Sequence, residues 1–413
     1  MSSDGRAGEL DAPAHREWLL DQSVRLIEFF RAAIDEHGRF VALDDDGREL
    51  TANPGHGTEQ LLTVARLTHS YALGELLGLP DCGPIVEQGL NAMTTRYRDS
   101  TSGGYLSSFP AGGSPVKSAY DHAHVLLAAS SAIIAGHDAG RPLFDDVLGV
   151  IDDRFWSEAD GAARESFDRG WHELEPYRGA NSNMHLCEAL LAAASAMDRA
   201  DLAERAVGIA RRLIDGEARS RRWLLPEHYD SLWQAEPEFH RDRPDDPFRP
   251  YGVTPGHLLE WSRLCCSAWL ATGRRDAWLV EAAEQLFARA VEIGWDEQHG
   301  GIIYTVGWDA TPVNDDHYWW PVAEAIAASA FLARLVGGAD YGGWYERFWD
   351  FASTYLIDHE RGGWYPQLDA ENERKSGPWF GKPDLYHALQ ACIIPGVAPA
   401  PSVAASLRPG TAG

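Results

Sequence analysis

Apolar residues return at helical spacing through most of the chain, in blocks separated by Gly, Pro and Asp. The pattern predicts twelve helices, at about 15–35, 57–78, 83–99, 118–136, 142–156, 181–199, 201–215, 254–273, 277–295, 319–337, 340–358 and 382–394. Starting signals support several of them. Asn181 and Ser182 open one apolar run, and Thr254–Pro255 opens another, with Pro at the first helical position, where its missing N–H costs nothing. The two ends, 1–14 and 397–413, lack the pattern and are predicted to be unstructured tails around a single domain at 15–396.

The connections repeat. RDSTSGGYLSSF (98–109), WDEQHGGIIYTVGWD (295–309) and IDHERGGWYPQLDAENERK (357–375) each place an acidic turn before a Gly-Gly pair and an aromatic or β-branched run. Segments beginning RFWSEADGAARE and ARSRRWLLPEHY are degenerate relatives, and six helix pairs at the Gly300-to-Gly362 spacing fill the chain. A two-helix unit cannot hide its apolar face alone, so neighbours must stack; a closed ring also removes the ends that an open solenoid has to cap. The prediction is an all-α (α/α)6 barrel with short β-hairpin loops at one mouth. Its inner helices are the even-numbered ones, apolar nearly all round, as in HLCEALLAAASAM and HLLEWSRLCCSAWLA. An open TPR-like or HEAT-like array would have short, uniform linkers, whereas these are long and aromatic.

Charge narrows the function. Against 36 Lys and Arg stand 62 Asp and Glu, a net charge of −26, which repels phosphate backbones and anionic membranes. No apolar run reaches the length of a membrane span. Met1–Pro13 carries no basic and apolar leader, and the 5 cysteines show no CxxC spacing, so the expectation is a cytoplasmic protein whose thiols are reduced and serve packing.

The chemistry-bearing residues gather near the starts of the predicted inner helices: Arg66; Tyr120 and His122; His185 and Glu188; Arg249, His257 and Glu260; Trp319, Trp320 and Glu324; Trp379, Asp384 and His387. One His on an apolar helix is ordinarily a hydrogen-bonded core residue, but several at equivalent points of a repeat converge on one cavity. The pairs His185/Glu188 and His257/Glu260 have a spacing that can bind metal, yet the order is the reverse of the di-iron motif and no bridging carboxylates accompany them. The other use of that spacing is a carboxylate orienting an imidazole for acid–base work, so no metal and no cofactor is expected. Acidic loop residues Asp230, Asp245, Asp246, Asp315 and Asp316 keep a glycoside hydrolase as the rival enzyme, and a carbohydrate-binding scaffold is the non-enzymatic alternative.

The motifs RGANSNMHLCEAL, FRPYGVTPGHLLEWSRL, YWWPVAEAI and KPDLYHALQA resemble the N-acylglucosamine 2-epimerase superfamily over 15–396, and within it the mannose and sulfoquinovose isomerases. The resemblance implies a metal-independent interconversion of D-mannose and D-fructose through a cis-enediolate, with sulfoquinovose isomerase or a mannose- or cellobiose-type 2-epimerase as alternatives. By motif, His387 is the base at C2 and C1, and His257 is the second acid/base. Glu260 and Glu324 orient His257 and His387, and Arg66 meets the enediolate oxygens. Tyr120, His185, Arg249, Trp320, Gln367 and Trp379 hold the sugar. The partner implied is a small monosaccharide, bound by a monomer or homodimer. The long connection at 216–253, which carries Arg249, is the feature that the resemblance associates with isomerases rather than epimerases.

Overall fold

The inner helices can be buried on every side because their sequences offer almost no polar face. In α10 (Trp319–Leu335), for instance, every residue from Trp319 to Leu332 is buried. The computed structural model describes residues 10–51, 59–109, 116–338 and 340–408. Preceding α10 are α1 (Pro13–Phe30), α2 (Leu61–Leu76), α3 (Gly83–Ala92), α4 (Ala119–Ala135), α5 (Gly140–Val150), α6 (Ala180–Met197), α7 (Ala200–Ala210), α8 (Pro255–Ala271) and α9 (Ala277–Gly294). After it come α11 (Tyr341–Phe351), α12 (Tyr386–Ile393) and the short α13 (Val403–Ser406). Helices α2, α4, α6, α8, α10 and α12 pack in that order, and α12 returns to α2, which closes the ring. The odd helices α1 to α11 pack outside, each against an inner neighbour, with one apolar face; α7 buries Leu202, Ala206, Val207 and Ala210.

Six staples hold the mouth. The segment before each inner helix pairs with the connection that follows the next outer helix: 59–60 with 108–109, 116–118 with 166–168, 177–179 with 228–230, Val253 with Val306 and 317–318 with 367–368. The sixth joins the ends of the barrel, where the Lys382 N–H donates to the Leu43 carbonyl at 3.1 Å. The inner helices therefore all begin at one level.

The Gly-Gly connections share one geometry. Asp99, Asp296 and Asp358 each donate their N–H to the carbonyl of the second Gly (104, 301, 363) and accept from the N–H of the first (103, 300, 362). Gly301 has φ +96, and a Cβ there would lie 2.8 Å from His317 Cγ, so both backbone and space require glycine. The Asp side chains are anchored in turn. Asp99 is fully buried against Lys117 Nζ at 3.1 Å and Arg169 Nε at 3.0 Å, and Arg169 above all holds its carboxyl well below the usual range.

Removing one partner of a buried ion pair strands the other. Asp99→Asn is expected to cost about 3–5 kcal/mol at pH 7. Because the native carboxyl is depressed, its contribution is present above the unfolded value near ~4 and fades as pH falls through the folded one. The gap between the urea midpoints of the two proteins should therefore begin to narrow at pH 3.5 relative to pH 7 and narrow further as pH is lowered towards the folded value.

The C-terminal segment departs from the expectation of an unstructured tail. Residues 397–408 are ordered: Ser402 Oγ caps α13, Val403, Ala404 and Ala405 are buried, and Arg408 Nη2–H donates to the Ser195 carbonyl at 2.6 Å. α13 lies against α2, α4 and α6. A four-residue helix between Pro-rich stretches is too short to show a period. Residues 1–9 and 409–413 of the predicted tails lie outside the described residues. All 5 cysteines are free and buried. Among the described residues, no helix is long and apolar enough to cross a membrane.

Candidate active site

Because the staples align the inner helices, equivalent positions face one another across the ring. The sixth residues of α2, α4, α6, α8 and α10 are Arg66, His124, His185, Glu260 and Glu324. Above them opens a cavity of about 570 Å³, lined by Arg66, Tyr120, His185, His257, Trp320 and His387 among others. That size suits a small molecule.

Of the imidazoles on this cavity, two are each backed by a hydrogen-bonded carboxylate. His387 Nδ1–H donates to Glu324 Oε1 at 3.0 Å, and His257 Nδ1–H donates to Glu227 Oε1 at 2.9 Å. With Nδ1 committed, Nε2 is left as the nitrogen that exchanges protons in both rings. The Trp320 indole stands between them, 5.0 Å from the His257 ring and 6.0 Å from that of His387. Gly256 makes room for it, since a Cβ there would fall 2.6 Å from Trp320 Cζ3.

Beneath the cavity sits a buried charge cluster. Arg263 Nε–H donates to Glu324 Oε2 at 2.8 Å, Nη1–H and Nη2–H donate to Glu188 Oε1 at 3.3 Å, and Nη2 lies 3.7 Å from Glu260 Oε1. Burial is the largest influence and would raise Glu324 and Glu188. Arg263, together with His387 at the first and with His185 and Tyr386 at the second, outweighs it, and both are held below the ordinary carboxylate range. Glu260 goes the other way, raised by burial and then by Glu324, which favours its protonated form. Burial also lowers His185 to about 4, so it is neutral near pH 7.

Arg66 presents a guanidinium to the same cavity. Its Nε–H donates to His124 Nε2 at 3.2 Å, Nη2–H to the Tyr120 hydroxyl at 3.0 Å and Nη1–H to Asp384 Oδ1 at 3.5 Å, while its face lies 4.7 Å over Tyr386. Asp384 also accepts from the His387 N–H at 2.9 Å and Trp319 Nε1–H at 3.1 Å, so one carboxylate ties Arg66 to the start of α12.

The model of the N-acylglucosamine 2-epimerase (GlcNAc 2-epimerase) family matches residues 38–391, which is nearly the whole ring. The chain belongs to the N-acylglucosamine 2-epimerase family. Two relatives are named D-mannose isomerase: one from Pseudomonas cannabina pv. alisalensis is 42% identical over 96% of each chain, and one from Thermobifida fusca is 43% identical over 95% of this chain and 97% of its own. A solved D-mannose isomerase structure superposes with a TM-score of 0.86 at 28% identity, over 93% of this chain and 99% of the other.

Within this family member the sequence-derived candidates separate. Arg66, Tyr120, His185, Arg249, His257, Glu260, Trp320, Trp379 and His387 line the cavity, and Glu324 lies directly behind His387. Glu260, expected to orient His257, instead faces His185 Nδ1 at 3.9 Å and Arg263; the partner of His257 is Glu227, from the loop before α8. Gln367 is not on the cavity. It stands opposite Tyr318 in the staple between 317–318 and 367–368, and its amide donates to Asp316 Oδ2 at 2.5 Å. Arg249 reaches the cavity with its charge already compensated: Nη1–H and Nη2–H donate to Glu175 at 2.6 and 3.1 Å.

His122, singled out beside Tyr120, lies in α4, where its ring donates to the Ser118 carbonyl and accepts from the Tyr105 N–H. None of Asp230, Asp245, Asp246, Asp315 and Asp316 lines the cavity. Glu227, His124 and Arg263 go unnoticed in the sequence, although His124 shares the helix offset of Arg66 and His185, and Arg263 continues the His257, Glu260 face by one more turn. His185, Glu188 and Glu260 bring ligand atoms within 4.8 Å of one another, but Arg263 and the Tyr386 hydroxyl, which donates to Glu188, already serve those carboxylates.

The Glu227 contact is directly testable. Glu227→Gln keeps the shape but weakens the hold on the protonated ring, and kcat is expected to fall about 10-fold or more, with KM nearly unchanged, in steady-state assays.

Proposed function

We propose that this chain is a cytoplasmic aldose–ketose isomerase that interconverts D-mannose and D-fructose by proton transfer, without a metal. The observation that carries the reading is the pair of carboxylate-backed imidazoles, His257 and His387, on one sugar-sized cavity with the Arg66 guanidinium. The names of the two relatives more than 40% identical over at least 95% of the chain support the choice of sugar.

In this mechanism the neutral His387 Nε2 takes the proton from C2 of the open-chain aldose. The C2–H electron pair becomes the C1=C2 bond, and the aldehyde π pair moves to O1. That developing charge is what positioned donors stabilise. Arg66 can supply them, because three of its five N–H groups are spent on His124, Tyr120 and Asp384, which leaves one on each Nη. His257 moves the proton from O2 to O1, and the His387 imidazolium returns its proton to C1 as the O2 carbonyl forms. Nothing is oxidised or reduced overall.

Arg66 supplies the positive charge that a metal would bring elsewhere. The pairing of Arg249 with Glu175 speaks for a neutral sugar over one bearing a sulfonate. Incubation with D-mannose in deuterated water should yield D-fructose carrying deuterium at C1, at a rate unaffected by EDTA. Absence of fructose overturns the proposal; chelator-sensitive turnover without exchange would point to a metal-assisted hydride shift.

A further inference from the structure

His124 has the geometry of a residue that acts through another. Its ring is buried on α4, 4.7 Å from Tyr120 and 4.6 Å from His185. Nδ1 lies 2.9 Å from the Tyr120 carbonyl, which can only accept, so the ring proton is on Nδ1. Nε2 therefore carries a lone pair, and that lone pair faces Arg66 Nε–H at 3.2 Å. No other orientation of the ring serves both contacts.

On the remaining sides, Arg66 is held by Tyr120, Asp384 and the Tyr386 face. The Nε contact sets the rotation of the guanidinium plane about its own axis, and this decides where the two uncommitted N–H groups point. We propose that His124 is a positioning residue, a neutral hydrogen-bond acceptor that aims Arg66 at the oxygen on which charge develops. A protonated ring would set N–H against N–H and cation against cation; burial and Arg66 itself oppose this and hold the imidazole well below its ordinary range. The inference rests on the isomerase reading and adds to it a requirement for an acceptor at this point.

The test compares His124→Leu, which removes the acceptor, with His124→Gln, whose amide oxygen reaches the place of Nε2, and His124→Asn, whose shorter amide does not. For the Leu variant kcat should fall about 30- to 100-fold while KM stays within about threefold, since the lost interaction is made in the transition state. The Gln variant should lie within about fivefold of the parent, and the Asn variant should resemble Leu.

Calorimetric titration gives a second readout. The hydroxamate of D-arabinonic acid, a planar anion shaped like an enediolate, should bind the Leu variant at least about tenfold more weakly, whereas D-mannitol, linear and neutral, should bind nearly unchanged. Equal losses for both ligands, an unchanged kcat in the Leu variant, or Gln no better than Asn would overturn the role of His124. If the Leu variant does not fold, the order of Gln over Asn decides alone. A parent protein that turns over no mannose instead overturns the isomerase reading itself.

Discussion

Replacing His387 by Ala is expected to lower kcat for mannose isomerisation by about 10²–10⁴, the range for a positioned acid–base group. The loss should sit in kcat and not in KM, because Tyr120, Arg66 and Trp320 still line the cavity. Folding should be little affected, since Glu324 keeps its bond to Arg263 Nε. Proton NMR in deuterated water separates the two imidazoles. His387→Ala should stop exchange at C2 of mannose and C1 of fructose together, whereas His257→Ala should lower turnover while leaving some exchange at carbon, because the C2–H step does not pass through it. A His387→Ala enzyme that retains more than a tenth of its turnover would remove the base from the mechanism.

The second large effect is one of stability. Arg263 is only 3% exposed, and it is the shared cation of Glu188, Glu260 and Glu324. Arg263→Leu leaves buried carboxylates without their counter-charge, which should destabilise the fold by about 3–5 kcal/mol at pH 7. Glu188 and Glu324 have depressed native values. Their stabilisation is thus present above the unfolded carboxyl range, near ~4.3, and is lost as pH falls through the native values. The gap between parent and variant in urea unfolding should narrow from pH 7 towards pH 3.5. A gap that stays constant with pH would mean the loss comes from packing rather than charge. Activity should fall too, since Glu324 would lose one of the two groups that fix it behind His387.

The ring of helices is legible in the sequence because a helix such as HLCEALLAAASAM, with no polar face, has nowhere to go but between neighbours. His185, His257, Glu324 and His387 are legible for a related reason: ionisable groups interrupting apolar helices at matching points of a repeat require a common cavity. Glu227 is not, since it lies in a loop, and only closure of the loop over α8 brings it to His257. Gln367 stands off the cavity because a strand alternates its faces every residue, so its direction follows the register with Tyr318, which no local pattern reveals. Glu260 looks like the partner of His257 at a spacing of three, yet its carboxylate lies towards Arg263, at the same spacing on the other side, and the sequence alone does not choose between the two.

The seam of the ring carries a consequence for how the chain is made. α1 lies against α12, and His15 Nε2 is hydrogen-bonded to the Tyr345 hydroxyl at 2.6 Å. α1 touches α2 early, through the Tyr71 hydroxyl that donates to the Ile27 carbonyl, but the larger part of its seat is formed only when α12 has followed. Closure of the ring has to wait for α12, and the open intermediate before it is the state most exposed to aggregation.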